Sequence, residues 1–174
     1  MQNIIYIQHY LSPCGELVLG SYGDRLCLCD WRLNEERGQS IDKRIRKELQ
    51  AQYVEGGSDA IAKAIVQLNE YFDHKRVEFD VPLLFVGTDF QKTVWEELLK
   101  IPYGETISYA GLSQRLGNPK AIRAVAAANG ANAISIIVPC HRIIGTNRKL
   151  IGYAGGLPAK KLLLELESTS KTLF

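Results

Sequence analysis

No apolar run in this 174-residue chain approaches the ~20 residues that a membrane-spanning helix requires, so a transmembrane protein is not expected. Met1 to Tyr10 lacks the basic start and apolar core of a secretory signal, which points to an intracellular protein. Cysteine, at four, is too sparse for a disulfide-stapled scaffold, and reduced thiols are expected. Histidine is scarcer still. Beside Cys14, Cys27 and Cys29 stand only His9 and His74, too few ligands at suitable spacing for zinc. Those three cysteines are expected to be structural and buried, and no metal is expected.

A large net charge is also missing: the whole chain carries +2. The halves differ, however. Residues 1–83 hold 10 Lys and Arg against 13 Asp and Glu, whereas residues 84–174 hold 11 against 6. The second half is therefore basic, either because it meets a polyanion or because its solvated surface simply carries more cations. With 46% hydrophobic residues the chain can bury one or two small cores.

What is present reads as two regions. Ile4–Tyr10, Leu17–Tyr22 and Arg25–Trp31 have the pattern of an antiparallel meander, with Pro13-Cys14-Gly15 and Gly23-Asp24 as turns. The charged segment 34–57 reads as a loop or a short exposed helix. Ser58 or Asp59 caps a helix reaching Phe72, and Val77–Val81 suggests one more strand before Pro82. Thr88-Asp89-Phe90-Gln91 has the form of a capping box, followed by an apolar stripe of Val94, Trp95, Leu98 and Leu99. Ser108 opens a short helix over 109–116 that Gly117 can end. Asn118-Pro119 then reads as the start of an alanine-rich helix through Asn129.

Helix, glycine-containing turn, helix is the helix-turn-helix pattern. Its second helix has one arginine, Arg123, and almost no side chain able to read a base edge in the major groove. Small residues such as Ala121 and Ala124 would allow close approach to a narrow groove, and equally would allow tight packing on a neighbouring helix. Pro158 begins a last helix with Leu162, Leu163 and Leu166 on one face and Glu167 beside it.

Between these helices lies the stretch with the most chemistry, Ile136-Ile137-Val138-Pro139-Cys140-His141-Arg142. The β-branched run reads as a buried strand that presents a thiol at its end, beside an imidazole and a guanidinium. Adjacent side chains on a strand point to opposite faces, so direct contact of His141 with Cys140 is not expected unless the chain turns, and a bridging water would serve instead. A buried structural thiol remains the other reading of Cys140.

Pro139-Cys140-His141-Arg142 after the aliphatic run, Gly152-Tyr153-Ala154-Gly155-Gly156 and the terminal Leu162-Leu163-Leu164-Glu165-Leu166-Glu167 resemble the O6-alkylguanine-DNA alkyltransferase family. Gly87-Thr88-Asp89-Phe90-Gln91, Val94-Trp95, Ile101-Pro102-Tyr103-Gly104-Glu105-Thr106 and Arg123-Ala124-Val125 match the same family in the same order. The resemblance implies an α/β (α+β) fold: an N-terminal RNase H-like α/β domain over 1–83, then a winged helix-turn-helix DNA-binding domain over 84–174. It implies irreversible transfer of the alkyl group of O6-alkylguanine, or O4-alkylthymine, in double-stranded DNA to a cysteine that is consumed. No cofactor is needed, because the damaged base brings the electrophilic carbon, and the protein is expected to act as a cytoplasmic monomer away from membranes.

The same resemblance assigns roles. Cys140 is the alkyl acceptor, His141 deprotonates it through water, Glu167 orients His141, and Asn132 joins their hydrogen-bonded network. Tyr109 helps to rotate the target phosphate and donates toward guanine N3. Arg123 fills the vacated stack, on a helix whose Ala121 and Ala124 meet the DNA. Tyr153 and Ala154 line the base pocket, the Val138 carbonyl reads the base, and Ser135 stands at the pocket edge. Ile151, Asn147-Arg148-Lys149 and Ser135 depart from the usual pattern and bear on which adducts are accepted. A damage-binding relative without the thiol, a thiol hydrolase and a plain helix-turn-helix regulator fit less well. The first lacks Cys140, the second would need a different Cys–His geometry, and the third would need more base-reading side chains.

Overall fold

The meander forms as expected, from β1 (Asn3–Ser12), β2 (Gly15–Tyr22) and β3 (Arg25–Trp31). The computed structural model describes residues 3–168, and its chain divides into two units, Met1–Gly87 and Thr88–Phe174. In the first unit β1 pairs antiparallel with β2, from Ile5 opposite Tyr22 to Ser12 opposite Gly15, and β2 pairs antiparallel with β3.

The segment expected as a loop or short exposed helix is instead a 15-residue helix, α1 (Glu35–Leu49), followed by strand β4 (Ala51–Glu55). The helix forms because Ile41 and Ile45 supply a narrow buried stripe. Asn34 caps it by accepting from Arg37 N at 2.9 Å, with Glu35 and Glu36 at its positive end and Arg46 and Lys47 at its negative end. β4 then adds parallel to β1, giving the sheet order β3-β2-β1-β4. Helix α2 (Asp59–Phe72) starts at Ser58, whose hydroxyl accepts from Ile61 N at 3.2 Å.

The strand expected over Val77–Val81 is absent. Its backbone groups are taken by side chains: Asp80 N donates to Gln67 Oε1 at 3.1 Å, and Arg76 Nη1 donates to Glu78 O at 2.9 Å. Pro82, lacking an N–H, contributes only its carbonyl, to Leu26 N. One isolated parallel bridge, Leu26 with Leu83, is what remains of sheet pairing there. Cys27 and Cys29 are buried in β3, and burial pushes the Cys27 thiol up to about 12. Such a thiol is inert at neutral pH.

The second unit opens with α3 (Asp89–Leu98) behind a complete capping box: Gln91 N donates to Thr88 Oγ1 and Thr88 N to Gln91 Oε1. Thr88→Ala removes one side of that box and is expected to lower stability by about 1 kcal/mol, measured by urea unfolding. Val94, Trp95 and Leu98 are buried, but Leu99 is exposed and lies off the stripe. Two further helices follow, α4 (Tyr109–Arg115), capped by Ser108, and α5 (Ile122–Gly130). Trp95 Nε1 donates to the buried Ala128 carbonyl at 2.8 Å and pins α3 to α5.

Gly117 takes the left-handed conformation expected of a helix stop, at φ +75°. Asn118 does not cap α5, however. Its N–H donates back to Ser113 O at 3.0 Å, so it closes α4, and α5 starts four residues later, after Ala121. The connection between the two helices, 116–121, is thus longer than the turn expected around Gly117. Strands β5 (Ile107–Ser108) and β6 (Ile143–Ile144) pair in parallel, and the last described element is α6 (Leu157–Ser168). The buried face of α6 is Lys160, Leu163, Leu164 and Glu167, with Leu162 exposed and Leu166 half-buried. Glu167 therefore sits on the buried face rather than beside it. Among the described residues no helix is long and apolar enough to cross a membrane.

Candidate active site

The run before Cys140 is not a strand. Residues 135–138 form turns and a bend. Ile137 N donates to Ser135 O at 2.8 Å across Ile136, whose φ is +69°. This is a γ-turn centred on a β-branched residue in the left-handed region, a conformation costing about 1–3 kcal/mol. A second tight turn follows: Cys140 N donates to Val138 O at 2.8 Å across Pro139, at φ −81° and ψ 62°.

Asn132 makes this path possible. Its amide donates to Val138 O at 3.0 Å and Ile134 O at 3.3 Å, while its Oδ1 accepts from Ile134 N at 3.0 Å. One buried side chain thus replaces the ladder that a strand would have used. The Val138 carbonyl, expected to read the base, accepts from Asn132 Nδ2 at 3.0 Å and from Cys140 N at 2.8 Å, and so holds the backbone of the thiol.

Cys140, His141 and Arg142 then make one turn of 3-10 helix. The thiol and the imidazole consequently do not point to opposite faces of a strand. Cys140 is buried, and His141 is fully so. His141 Nε2 lies 2.7 Å from Glu167 Oε2. Arg142 binds the same carboxylate through two nitrogens, Nε to Oε1 at 2.8 Å and Nη2 to Oε2 at 3.0 Å, and its Nη1 donates to Ile101 O at 2.6 Å. Gly104 N adds a longer bond to Oε1 at 3.4 Å.

Burial alone would push the Glu167 carboxyl up, but His141 and then Arg142 outweigh it and hold the group well below the usual carboxylate range. The carboxylate is thus ionised and can only accept. A neutral His141 must place its proton on Nε2, which leaves Nδ1 as the acceptor. His141 Nδ1 is buried and has no hydrogen-bond partner among the described residues. Ser135 Oγ and Asn129 Oδ1 are the other such atoms of this unit. Buried polar atoms left open in this way mark places where a ligand or water completes the bonding.

Two residues that carry this geometry were not singled out by sequence. Arg142 reads in sequence only as a cation near the thiol. Lys160 belongs to no motif of the sequence, yet its side chain is fully buried. Its Nζ donates to three carbonyls, Ile143 O at 2.6 Å, Ile151 O at 3.2 Å and Gly152 O at 3.3 Å. The signal available was the stripe 160, 163, 164 and 167, a helical period with a cation at one end and an anion at the other.

The remaining expected residues lie as follows. Tyr109 begins α4, and its hydroxyl donates to Ile151 O over a long 3.4 Å. Burial raises its pKa, as does the charge of Cys140, so the phenol and the thiol lie close enough to interact. The Tyr153 ring stands edge-on to His141, with centroids 6.5 Å apart. Ala154 is half-buried beside it, and Ser135 is fully buried. Arg123 and Ala124 are exposed on α5 with Ala127, while Ala121 is half-buried at the cap. No group of three or more metal-ligating side chains occurs among the described residues.

Two family models match consecutive parts of the chain. That of the 6-O-methylguanine DNA methyltransferase ribonuclease-like domain matches residues 5–85, and that of the 6-O-methylguanine DNA methyltransferase DNA binding domain matches residues 89–169. A methylated-DNA–protein-cysteine methyltransferase of Mycobacterium leprae is 43% identical over 175 residues, covering 98% of this chain and 99% of the relative. One of Methanosarcina acetivorans is 40% identical, covering 95% and 99%. A crystal structure of Mycobacterium tuberculosis OGT in complex with DNA superposes with a TM-score of 0.81 at 42% identity, covering 94% of this chain and 93% of that one. A sequence related over nearly its whole length, and a fold shared with it, place the chain by descent: it belongs to the methylated-DNA–protein-cysteine methyltransferase family.

Proposed function

We propose that this protein repairs alkylated DNA by direct reversal, moving the alkyl group of O6-alkylguanine, or O4-alkylthymine, in double-stranded DNA to its own Cys140 once per molecule. The observation that carries the reading is the His141–Glu167 contact, 2.7 Å long, with His141 Nδ1 buried and open in the residue that follows Cys140. A water between Nδ1 and Sγ gives Cys140 a base, and Glu167 keeps the acceptor nitrogen on the correct side of the ring.

The reaction balances without a cofactor. The thiol proton leaves through the water, sulfur forms a bond to the alkyl carbon, and the carbon–O6 bond breaks with its electron pair passing to the base. The base recovers a proton and leaves as ordinary guanine, while the cysteine ends as a thioether. A thioether is a poor leaving group, so the protein does not turn over.

The target atom is inaccessible inside a duplex, so the nucleotide must be extruded. Arg123, exposed on α5, fills the gap left in the stack. Ala124 and Ala127 keep that helix face thin enough for a groove. Tyr109 meets the base edge near the thiol, and Tyr153, Ala154 and Ser135 bound the pocket. Residues 84–174 carry both the DNA contacts and the acceptor, and residues 1–83 form the RNase H-like domain. A cytoplasmic location agrees with four cysteines outside any disulfide, and the protein acts as a monomer.

Mass spectrometry of the Cys140 peptide after incubation with a duplex containing one O6-methylguanine tests the reading. The expected result is the gain of one CH2 unit on that peptide, with no more than one methyl per protein. Folded protein that gains none overturns it.

A further inference from the structure

Asn129 holds a buried acceptor that this unit leaves open. The residue is 6% exposed near the end of α5, and its Oδ1 has no hydrogen-bond partner among the described residues. Leaving a buried amide oxygen bare costs free energy, and a native fold tolerates it where a ligand or water completes the bonding. Successive bonds fix where this residue stands. Asn132 N donates to the Asn129 carbonyl at 3.3 Å, the Asn132 side chain donates to Val138 O at 3.0 Å, and Cys140 N donates to the same oxygen at 2.8 Å. Asn129 is thereby tied to the backbone of the thiol. One residue earlier, Ala128 O takes the Trp95 indole at 2.8 Å, which anchors the same turn to α3.

Helix α4 packs against α5, and the Asn129 side chain hydrogen-bonds the hydroxyl of Tyr109, the first residue of α4. Since Oδ1 is open, Nδ2 is the donor in that bond. The phenol oxygen thus accepts from Asn129, and its single proton points elsewhere. In the free protein that proton goes to Ile151 O over 3.4 Å, a long bond that is readily exchanged. Tyr109 O–H and Asn129 Oδ1 therefore make a pair, one donor and one open acceptor, with the amide linking them. An O6-alkylated guanine presents the complementary pair, its N3 acceptor beside its N2 amino donor. An O4-alkylated thymine has no donor on its ring, and its O2 would set one acceptor against another.

We propose that Asn129 is a base-reading residue: its Oδ1 accepts from the 2-amino group of the extruded guanine while Tyr109 donates to N3, so that the site prefers alkylguanine to alkylthymine. This rests on the reading of Cys140 as the alkyl acceptor, with Tyr109 at the base edge. The open oxygen of the free protein is completed only when an amino group arrives.

Removing one substituent from the substrate tests this directly. Duplexes carrying O6-methylguanine or O6-methylhypoxanthine, which lacks only the 2-amino group, are compared by the single-turnover rate of methyl transfer to Cys140. The parent protein is expected to react about tenfold more slowly with the hypoxanthine duplex, because the buried oxygen stays bare. In Asn129→Leu both rates fall, through lost support of Tyr109, and the ratio between them closes to about twofold or less. A purely structural role would slow both substrates and leave the ratio as in the parent, which overturns the proposal. So does a parent protein indifferent to the amino group, the result if Oδ1 holds only a water. If Asn129→Leu does not fold, Asn129→Ala is read by the same ratio. No transfer from either duplex to the folded parent protein would instead sink the repair reading.

Discussion

Glu167→Ala destabilises the protein by about 3–5 kcal/mol, because it strips a buried arginine of its carboxylate. Arg142 is 6% exposed and would keep the Ile101 carbonyl and the Tyr103 ring but no anion. His141 would lose the acceptor that fixes its tautomer, so transfer falls as well as stability. Urea unfolding followed by Trp95 emission in a Trp31→Phe background reads the unit that holds the site. A loss under about 1 kcal/mol, the level of an exposed ion pair, would contradict the account. The acid limb adds a second signature. Since the Glu167 carboxyl is held below its ordinary 4.5, its contribution is complete above that pH and is lost as the pH falls below it. Glu167→Ala should lack that part of the acid dependence.

Cys140→Ser abolishes transfer and leaves the fold and DNA binding in place. A serine hydroxyl occupies nearly the same volume, but its proton is held far too tightly for His141 to generate a nucleophile. The surface expected to meet DNA, with Arg123, Ala124 and Ala127 exposed on α5, does not include residue 140. Fluorescence anisotropy with a duplex should therefore give similar affinities for the variant and the parent protein. In both, binding should weaken steeply with salt as phosphate contacts require. Residual methylation of the variant, or loss of its binding in a folded protein, would overturn this division of labour.

Sequence patterns captured the elements whose local chemistry and tertiary role agree. The Thr88–Gln91 box, the Ser58 cap and the Gly117 stop are such places, since the side chain or backbone freedom that starts or stops the helix is written at that position. The pattern misled where tertiary contacts overrode propensity. Ile136, Ile137 and Val138 have strand-forming side chains, yet Asn132 bends them into tight turns. Asn118 looks like a helix cap, yet its N–H is claimed by the helix before it. Leucine spacing placed the buried face of α6 around Leu162 and Leu166, because a fully buried lysine is rare enough that periodicity counts it as surface. The pairing of His141 with Glu167 came from family resemblance; a separation of 26 positions along the chain offers no local rule that would bring them together.

One consequence follows from the order of these parts along the chain. Cys140 precedes α6, the helix whose Glu167 holds the imidazole of His141. During synthesis Cys140 emerges while Leu157–Ser168 has yet to be made. A nascent chain at that stage has the thiol but lacks the carboxylate that holds the imidazole. Competence thus arrives with the closing helix, and a protein able to react a single time is spared from spending its sulfur on cellular electrophiles before it is finished.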